Sequence, residues 1–372
     1  MLAQITFWIA VFLPLYAYAG YPLLLLALRL VIRRDVRKQP ITPSVSLLIP
    51  AHNEADVIAR KIDNSLALDY PPDRIEIIVA SDGSRDDTVA AARARADGTR
   101  VRVLAFEQNR GKVATLNESM AELRGEIVVF SDAPAMLLRD SVRKLVESFA
   151  DPEVGAVSGL YKVVKADEVN IGSSEDFYWR YETFLKVKES QLASTLGGHG
   201  HLHAIRKDLY PFPDPETIND DYVIPVSVLA KGYRAVYEPC AIVYEEAREM
   251  TGFGRRIRIM TGNIQQLREI GGLLHPFRPL PLFFFLSHKF ARLLVPFAML
   301  TALAANLLLL DSPFYRAIFF GQLLFYALAA AGAIVRLRPR PLMLPYYFSM
   351  INAATFFGVY HALTARRRMA WK

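Results

Sequence analysis

Val45-Ser46-Leu47-Leu48-Ile49-Pro50-Ala51-His52-Asn53-Glu54 and Ile75-Glu76-Ile77-Ile78-Val79-Ala80-Ser81-Asp82-Gly83-Ser84 are two short apolar runs that stop in polar or small residues. The pattern recurs where Val101-Arg102-Val103-Leu104 leads to Asn109-Arg110-Gly111-Lys112, and where Glu126 to Phe130 stops at Ser131-Asp132-Ala133. Helical patterns separate the four runs. Strand, polar turn and helix in repetition is the grammar of an α/β fold, a mostly parallel sheet covered by helices. Ligands of such sheets bind beyond the carboxyl ends of the strands. Asn53, Glu54, Asp82, Lys112 and Asp132 all fall there, so one crevice is expected to collect nucleotide-dependent chemistry.

Each of these positions has a reading of its own. Glu54 to Leu66 has apolar residues at helical spacing and acidic residues in its first turn, which makes Asn53 the expected N-cap; a helix start also attracts anions. Asp82-Gly83 serves equally as ordinary turn chemistry or as a carboxylate leaving a buried strand toward a ligand. Lys112 opens a helix, where a cation opposes the macrodipole unless an anion lies nearby. Asp132 ends a near-continuous apolar run, and its oxygens suit a hard divalent cation that holds a diphosphate.

The 372 residues are unevenly apolar. No charged side chain stands between Met1 and Arg29, and Leu293 to Leu310, Ala317 to Val335 and Pro341 to Ala365 are further uncharged stretches. Such lengths suffice to cross a bilayer. Ala17-Tyr18-Ala19 has the form of a cleavage site, but no basic region precedes the apolar run, so an uncleaved anchor is expected. Arg33-Arg34-Asp35-Val36-Arg37-Lys38 follows it, and basic flanks favour the cytoplasmic side. The domain from Ser44 onward is therefore expected in the cytosol, at an inner membrane crossed more than once. The net charge of +7 and pI near 9.3 are accounted for by arginines beside apolar spans, so lipid is the expected partner and nucleic acid is not. A single cysteine, Cys240, leaves no intramolecular disulfide to form.

The ordered set Pro50-Ala51-His52-Asn53-Glu54, Ser81-Asp82-Gly83-Ser84, Gly111-Lys112 with Leu116-Asn117, and Ser131-Asp132-Ala133 resembles the nucleotide-binding half of family 2 glycosyltransferases. These have the GT-A fold and invert the anomeric centre. Downstream, Gly197-Gly198-His199-Gly200 resembles the family's acceptor-side segment, and Asn219-Asp220-Asp221 its Thr-Glu-Asp position. The resemblance implies a nucleotide-sugar site at Pro50, Ala51, Asn53, Glu54, Asp82, Gly83, Lys112 and Asp132, with a uridine diphosphate sugar as donor and Asp82 on its base. It implies Asp221 as catalytic base with Asp220 beside it, Asp132 as metal ligand for Mg²⁺ or Mn²⁺, and Gly198, His199, Arg255 and Arg258 on the side of a glycan or lipid-linked acceptor. Two departures stand out. Pro134 occupies the place of the usual second metal-binding carboxylate, and Arg255 to Ile259 lacks the Gln and Trp of the Gln-x-x-Arg-Trp motif of processive synthases. Two rival readings are a polyprenyl-phosphate glycosyltransferase and a non-catalytic nucleotide-sugar-binding subunit of a membrane assembly.

The expected division is an anchor at 1–32, a cytosolic GT-A domain at 40–250, an amphipathic region at 251–278 and a transmembrane region at 279–372. Phe253, Ile257, Met260, Ile264 and Leu267 recur at helical spacing beside arginines and glutamines, a pattern that suits a helix lying in the membrane interface. His199, His201 and His203 alternate as on a strand, where three rings on one face would suit a metal, an acceptor or a pyrophosphate. Pro341 to Ala365 is the least apolar stretch, and the arginines after it favour a partly embedded segment with a cytosolic tail.

Overall fold

The structure, a computed structural model, describes residues 1–164, 174–198, 200–246, 253–267, 278–335 and 340–364. The strands are β1 (Val45–Ala51), β2 (Ile75–Asp82), β3 (Val101–Phe106), β4 (Ile127–Phe130), β5 (Met136–Leu137), β6 (Val154–Val164), β7 (His203–Arg206) and β8 (Arg234–Glu246). Among the described residues they form one eight-stranded sheet in the order β3-β2-β1-β4-β7-β6-β8-β5. The four runs of the sequence pattern pair in parallel, with β1 in the centre. β7 then lies antiparallel to β4 and β6, which brings a return strand beside Asp132.

The helices are α1 (Leu2–Leu15), α2 (Tyr21–Val31), α3 (Ala55–Leu66), α4 (Thr88–Arg93), α5 (Lys112–Ser119), α6 (Ser141–Glu147), α7 (Ser174–Leu192), α8 (Asp220–Ala230), α9 (Phe253–Gln265), α10 (Pro279–Phe284), α11 (Ala291–Leu307), α12 (Pro313–Ile334) and α13 (Leu344–Thr364). Alternate strand residues serve two cores. Val45, Leu47 and Ile49 meet Val57, Ile58 and Ile62 of α3 and Leu145 of α6, whereas Leu48, Ile78, Val128 and Phe130 meet Leu116 of α5, Leu185 of α7 and Leu229 of α8. Burial on both faces is why these strands read as continuous apolar runs.

Four helical stretches, Leu2–Val31, Pro279–Leu307, Pro313–Ile334 and Pro341–Thr364, are long and apolar enough to cross a bilayer. The first and second are not uniform along their length. Phe7 and Ala10 of α1 pack on Ala298 and Ala302 of α11, where small side chains let the helices approach closely. Tyr21 and Leu25 of α2, with Phe284 and Phe285, are buried in the second core of the sheet domain. Each stretch changes role at a π-helical turn, Tyr16–Gly20 in one and Phe285–Phe290 in the other, and Tyr16 Oη lies 2.7 Å from Ser287 Oγ. The apolar run at 1–32 is therefore part membrane-type helix and part domain core.

The basic segment after α2 is also engaged by the domain. Arg34 pairs with Glu153, Arg37 with Asp151 and Lys38 with Glu238, so these cations strap the linker to the sheet rather than standing ready for lipid. The amphipathic helix α9 is covered as well. A Cβ on Gly358 of α13 would lie 2.6 Å from Met260 Cβ, and Asn219 packs against Gly262 on the opposite side. Met260 of the apolar stripe thus meets α13, and Leu267 packs on the second core.

Candidate active site

The loops that follow β1, β2 and β3 are tied to one another. Asn53 has φ 53°, a left-handed conformation that asparagine tolerates, and its side-chain oxygen accepts Arg85 N at 2.9 Å. It is not the cap of α3. That helix starts one residue later, and its early donors are met by Asp86 and by Thr88 at the start of α4: Thr88 Oγ1 accepts Glu54 N at 2.7 Å and Asp86 Oδ2 accepts Ala55 N at 3.1 Å. Gly83 is required by space, because a Cβ there would stand 2.4 Å from Asn109 N. Pro50 and Ala51 lie inside β1 and their side chains are buried.

Asp82 is fully buried. Its Oδ1 accepts Arg110 N and its Oδ2 accepts Gly111 N, both at 2.9 Å. This carboxylate therefore fixes the turn that delivers Lys112 to the start of α5. Lys112 Nζ lies 2.9 Å from Asp132 Oδ1 and 3.1 Å from Asp220 Oδ2, and one partly buried ammonium thus joins the end of β4 to the start of α8. Burial disfavours the Lys112 charge, but the two carboxylates outweigh it and hold its pKa above the ordinary lysine value.

The other oxygen of Asp132 faces a histidine. His201 Nδ1 lies 3.0 Å from Asp132 Oδ2, and its ring stacks on Tyr161 with centroids 4.1 Å apart. Burial opposes ionisation of Asp132, yet Lys112 and His201 hold it well below the usual carboxylate range. Beneath it lies Lys61, fully buried, whose ammonium donates to Ser131 Oγ at 2.7 Å and to the Ala135 carbonyl. Desolvation pushes Lys61 down to about 7 although Asp132 opposes the shift.

Asp221 follows Asp220 in the first turn of α8, and its carbonyl accepts Gly198 N at 2.7 Å. A Cβ on Gly198 would be 2.7 Å from Ser158 Oγ, so only glycine allows this approach. Burial and the adjacent Asp220 push the Asp221 carboxyl up from the ordinary aspartate value. A carboxylate kept basic in this way suits proton abstraction.

Five of the sequence-selected residues, Asp82, Lys112, Asp132, Asp220 and Asp221, thus converge through direct contacts or chain adjacency. Arg258 lies half-buried on α9, while His199 and the Arg255 side chain fall outside the described residues. The expected histidine strand begins only at His203, whose ring stacks on Phe130, so His201 reaches Asp132 from the preceding turn. Lys61 was not selected from the sequence. Its signal was position, since it shares a helical face with Val57, Ile58, Ile62 and Ser65, all buried.

Among the described residues no cluster of three ligating side chains forms, so a cation here would take two protein donors and complete its shell from the diphosphate or water. Asp132 and His201 put a carboxylate oxygen and an imidazole nitrogen 3.0 Å apart, the separation of neighbouring donors around one ion, and both types bind Mn²⁺.

The parallel sheet with its antiparallel return strand, and the carboxylates at its strand ends, are the arrangement of the GT-A fold. Residues 46–211 match the Glycosyl transferase family 2 model. The chain is 26% identical over 235 residues to poly-beta-1,6-N-acetyl-D-glucosamine synthase of Staphylococcus aureus, covering 60% of this chain and 55% of that protein. It is 31% identical over 222 residues to the probable glycosyltransferase YdaM of Bacillus subtilis, covering 56% and 51%. The chain thus spans about half the length of these curated relatives. Among solved structures, the mannosyltransferase PcManGT of Pyrobaculum calidifontis, in complex with GDP-Man and Mn²⁺, superimposes with a TM-score of 0.73 at 27% identity, covering 97% of this chain and all of that one.

Proposed function

We propose that the chain moves a glycosyl group from a nucleoside diphosphate sugar to an acceptor hydroxyl, with inversion, at a membrane surface. The observation that carries this reading is the Lys112, Asp132 and Asp220 cluster beside the raised carboxyl of Asp221. Asp221 takes the hydroxyl proton as the acceptor oxygen bonds to the anomeric carbon and the bond from that carbon to the diphosphate breaks. Lys112, poised at the strand ends, neutralises charge on the departing diphosphate. Asp132 and His201 would hold a divalent cation, which supplies further charge neutralisation there when bound. Asp82 acts on the donor by fixing the Arg110 to Lys112 turn, in addition to the base contact that the family resemblance implies.

The synthase among the relatives supports an acceptor in an extracellular polysaccharide, and the apolar helices support a membrane location. A uridine diphosphate sugar is the first donor to test; GDP-mannose, the donor printed with PcManGT, is the second. Purified full-length protein is incubated with labelled nucleotide sugars and a membrane extract, and the product is identified by mass. Transfer from one donor establishes the enzyme. Binding without any turnover establishes the non-catalytic subunit instead.

A further inference from the structure

Lys61 of α3 is fully buried, yet it stands between two turns of the candidate site. Its ammonium donates to Ser131 Oγ at 2.7 Å and to the Ala135 carbonyl, the two ends of the turn that carries Asp132. Ser131 Oγ in turn donates to the His201 carbonyl at 3.0 Å. The direction of this relay is fixed by chemistry, because an ammonium only donates and a carbonyl only accepts. One side chain of α3 therefore ties together the end of β4, the residue before β5 and the turn before β7.

Packing alone does not account for a lysine here. Both acceptors are neutral oxygens, and Asp132 acts on the charge through space. An apolar side chain of similar length would fill the slot without the cost of desolvating an ammonium. Asn64, further along α3, provides the contrast. Its amide donates to Leu137 O and accepts Leu137 N, both at 2.9 Å, and so fastens the same segment to α3 at β5 with no charge.

We propose that Lys61 is a positioning residue: it clamps the Asp132 turn to the His201 turn, and so sets the gap between Asp132 Oδ2 and His201 Nδ1 in which a divalent cation is held. The proposal rests on the cation reading above.

The test reads cation binding directly rather than turnover. Full-length protein in detergent is titrated with Mn²⁺ in the presence of UDP, and again with GDP, while free Mn²⁺ is counted by electron paramagnetic resonance. Lys61→Met and Ser131→Ala are each expected to weaken Mn²⁺ binding by about tenfold, the loss found when groups that orient metal ligands are removed. Asn64→Ala is expected to lower Tm and leave Mn²⁺ affinity unchanged, since its bonds end at β5. In a His201→Ala background Lys61→Met should cost less than it does alone, because both substitutions act on one gap. Ser131→Ala carries the test where Lys61→Met fails to fold. Unchanged affinity in the folded variants, additive losses with His201→Ala, or an equal loss in Asn64→Ala overturns the positioning role and leaves the cation site standing. A wild type that binds Mn²⁺ with neither nucleotide overturns the cation reading and the proposal with it.

Discussion

Asp221 combines two consequences of one environment. Its raised pKa makes it a better base, and the acid limb of the rate profile should lie above the 3.8 of an ordinary aspartate, because the base is lost as pH falls through its own pKa. The sign for stability is opposite. Between the unfolded and the raised folded pKa the native state binds more protons, so stability falls as pH rises through that window. Asp221→Asn is therefore expected to lower transfer by about 10²-fold or more while raising Tm at neutral pH, with donor affinity kept; retained transfer would move the base to Asp220. Asp82→Ala removes two charge-assisted bonds worth roughly 1.5–3 kcal/mol each. Lower Tm and weaker donor binding should appear together, and unchanged binding would reduce Asp82 to a turn former. At Asp132, His201→Ala should raise the half-saturating Mn²⁺ concentration by about tenfold or more, whereas Pro134→Asp, once shown to fold, should lower it. Full wild-type activity in excess chelator would sink the cation role and leave the diphosphate to Lys112.

At the level of elements, α9 links an apolar helix to the catalytic turn. Asn219 Nδ2 donates to Asn263 Oδ1 at 3.0 Å, Gln265 Oε1 accepts Ile218 N at 3.0 Å, and Thr261 and Met260 face Gly358 of α13. The residues at 216–219 lead straight into Asp220 and Asp221. Gly262→Val would drive a side chain into Asn219, whose oxygen lies 2.4 Å from the Cβ position. Transfer should fall by about tenfold or more, since small misplacements of reacting groups are costly. Circular dichroism should remain native; unaltered kinetics would mean that the helix only covers the domain.

For the whole molecule, four apolar helices and a domain that shares its core with two of them predict that domain and helices unfold as one unit. Tyr21, Leu25, Phe284 and Phe285 are the shared residues. We expect Tyr21→Ala to lower the Tm of the catalytic domain, because a cavity would open in that core and Glu189 would lose a hydrogen-bond donor. A domain transition that ignores the substitution would make α2 a mere tether. Topology is tested by a reporter fused after Lys372, expected on the cytosolic side if Arg366-Arg367-Arg368 obeys the positive-inside rule.

The sequence by itself determined the parallel strands and the ends at which Asp82, Lys112 and Asp132 stand, because chain-local rules set them: apolar runs doubly buried, stopped by polar turns. It also marked the four apolar stretches, since length and lack of charge are read along the chain. Tertiary structure alone decided which groups meet. Nothing local shows that Lys112 bridges Asp132 and Asp220, that His201 faces the second oxygen of Asp132, or that Asp86 and Thr88 at the start of α4 cap α3 in place of Asn53. The same holds for α9, whose amphipathic stripe fits a membrane surface and a neighbouring helix equally well. Periodicity specifies that a face must be covered, and packing specifies by what.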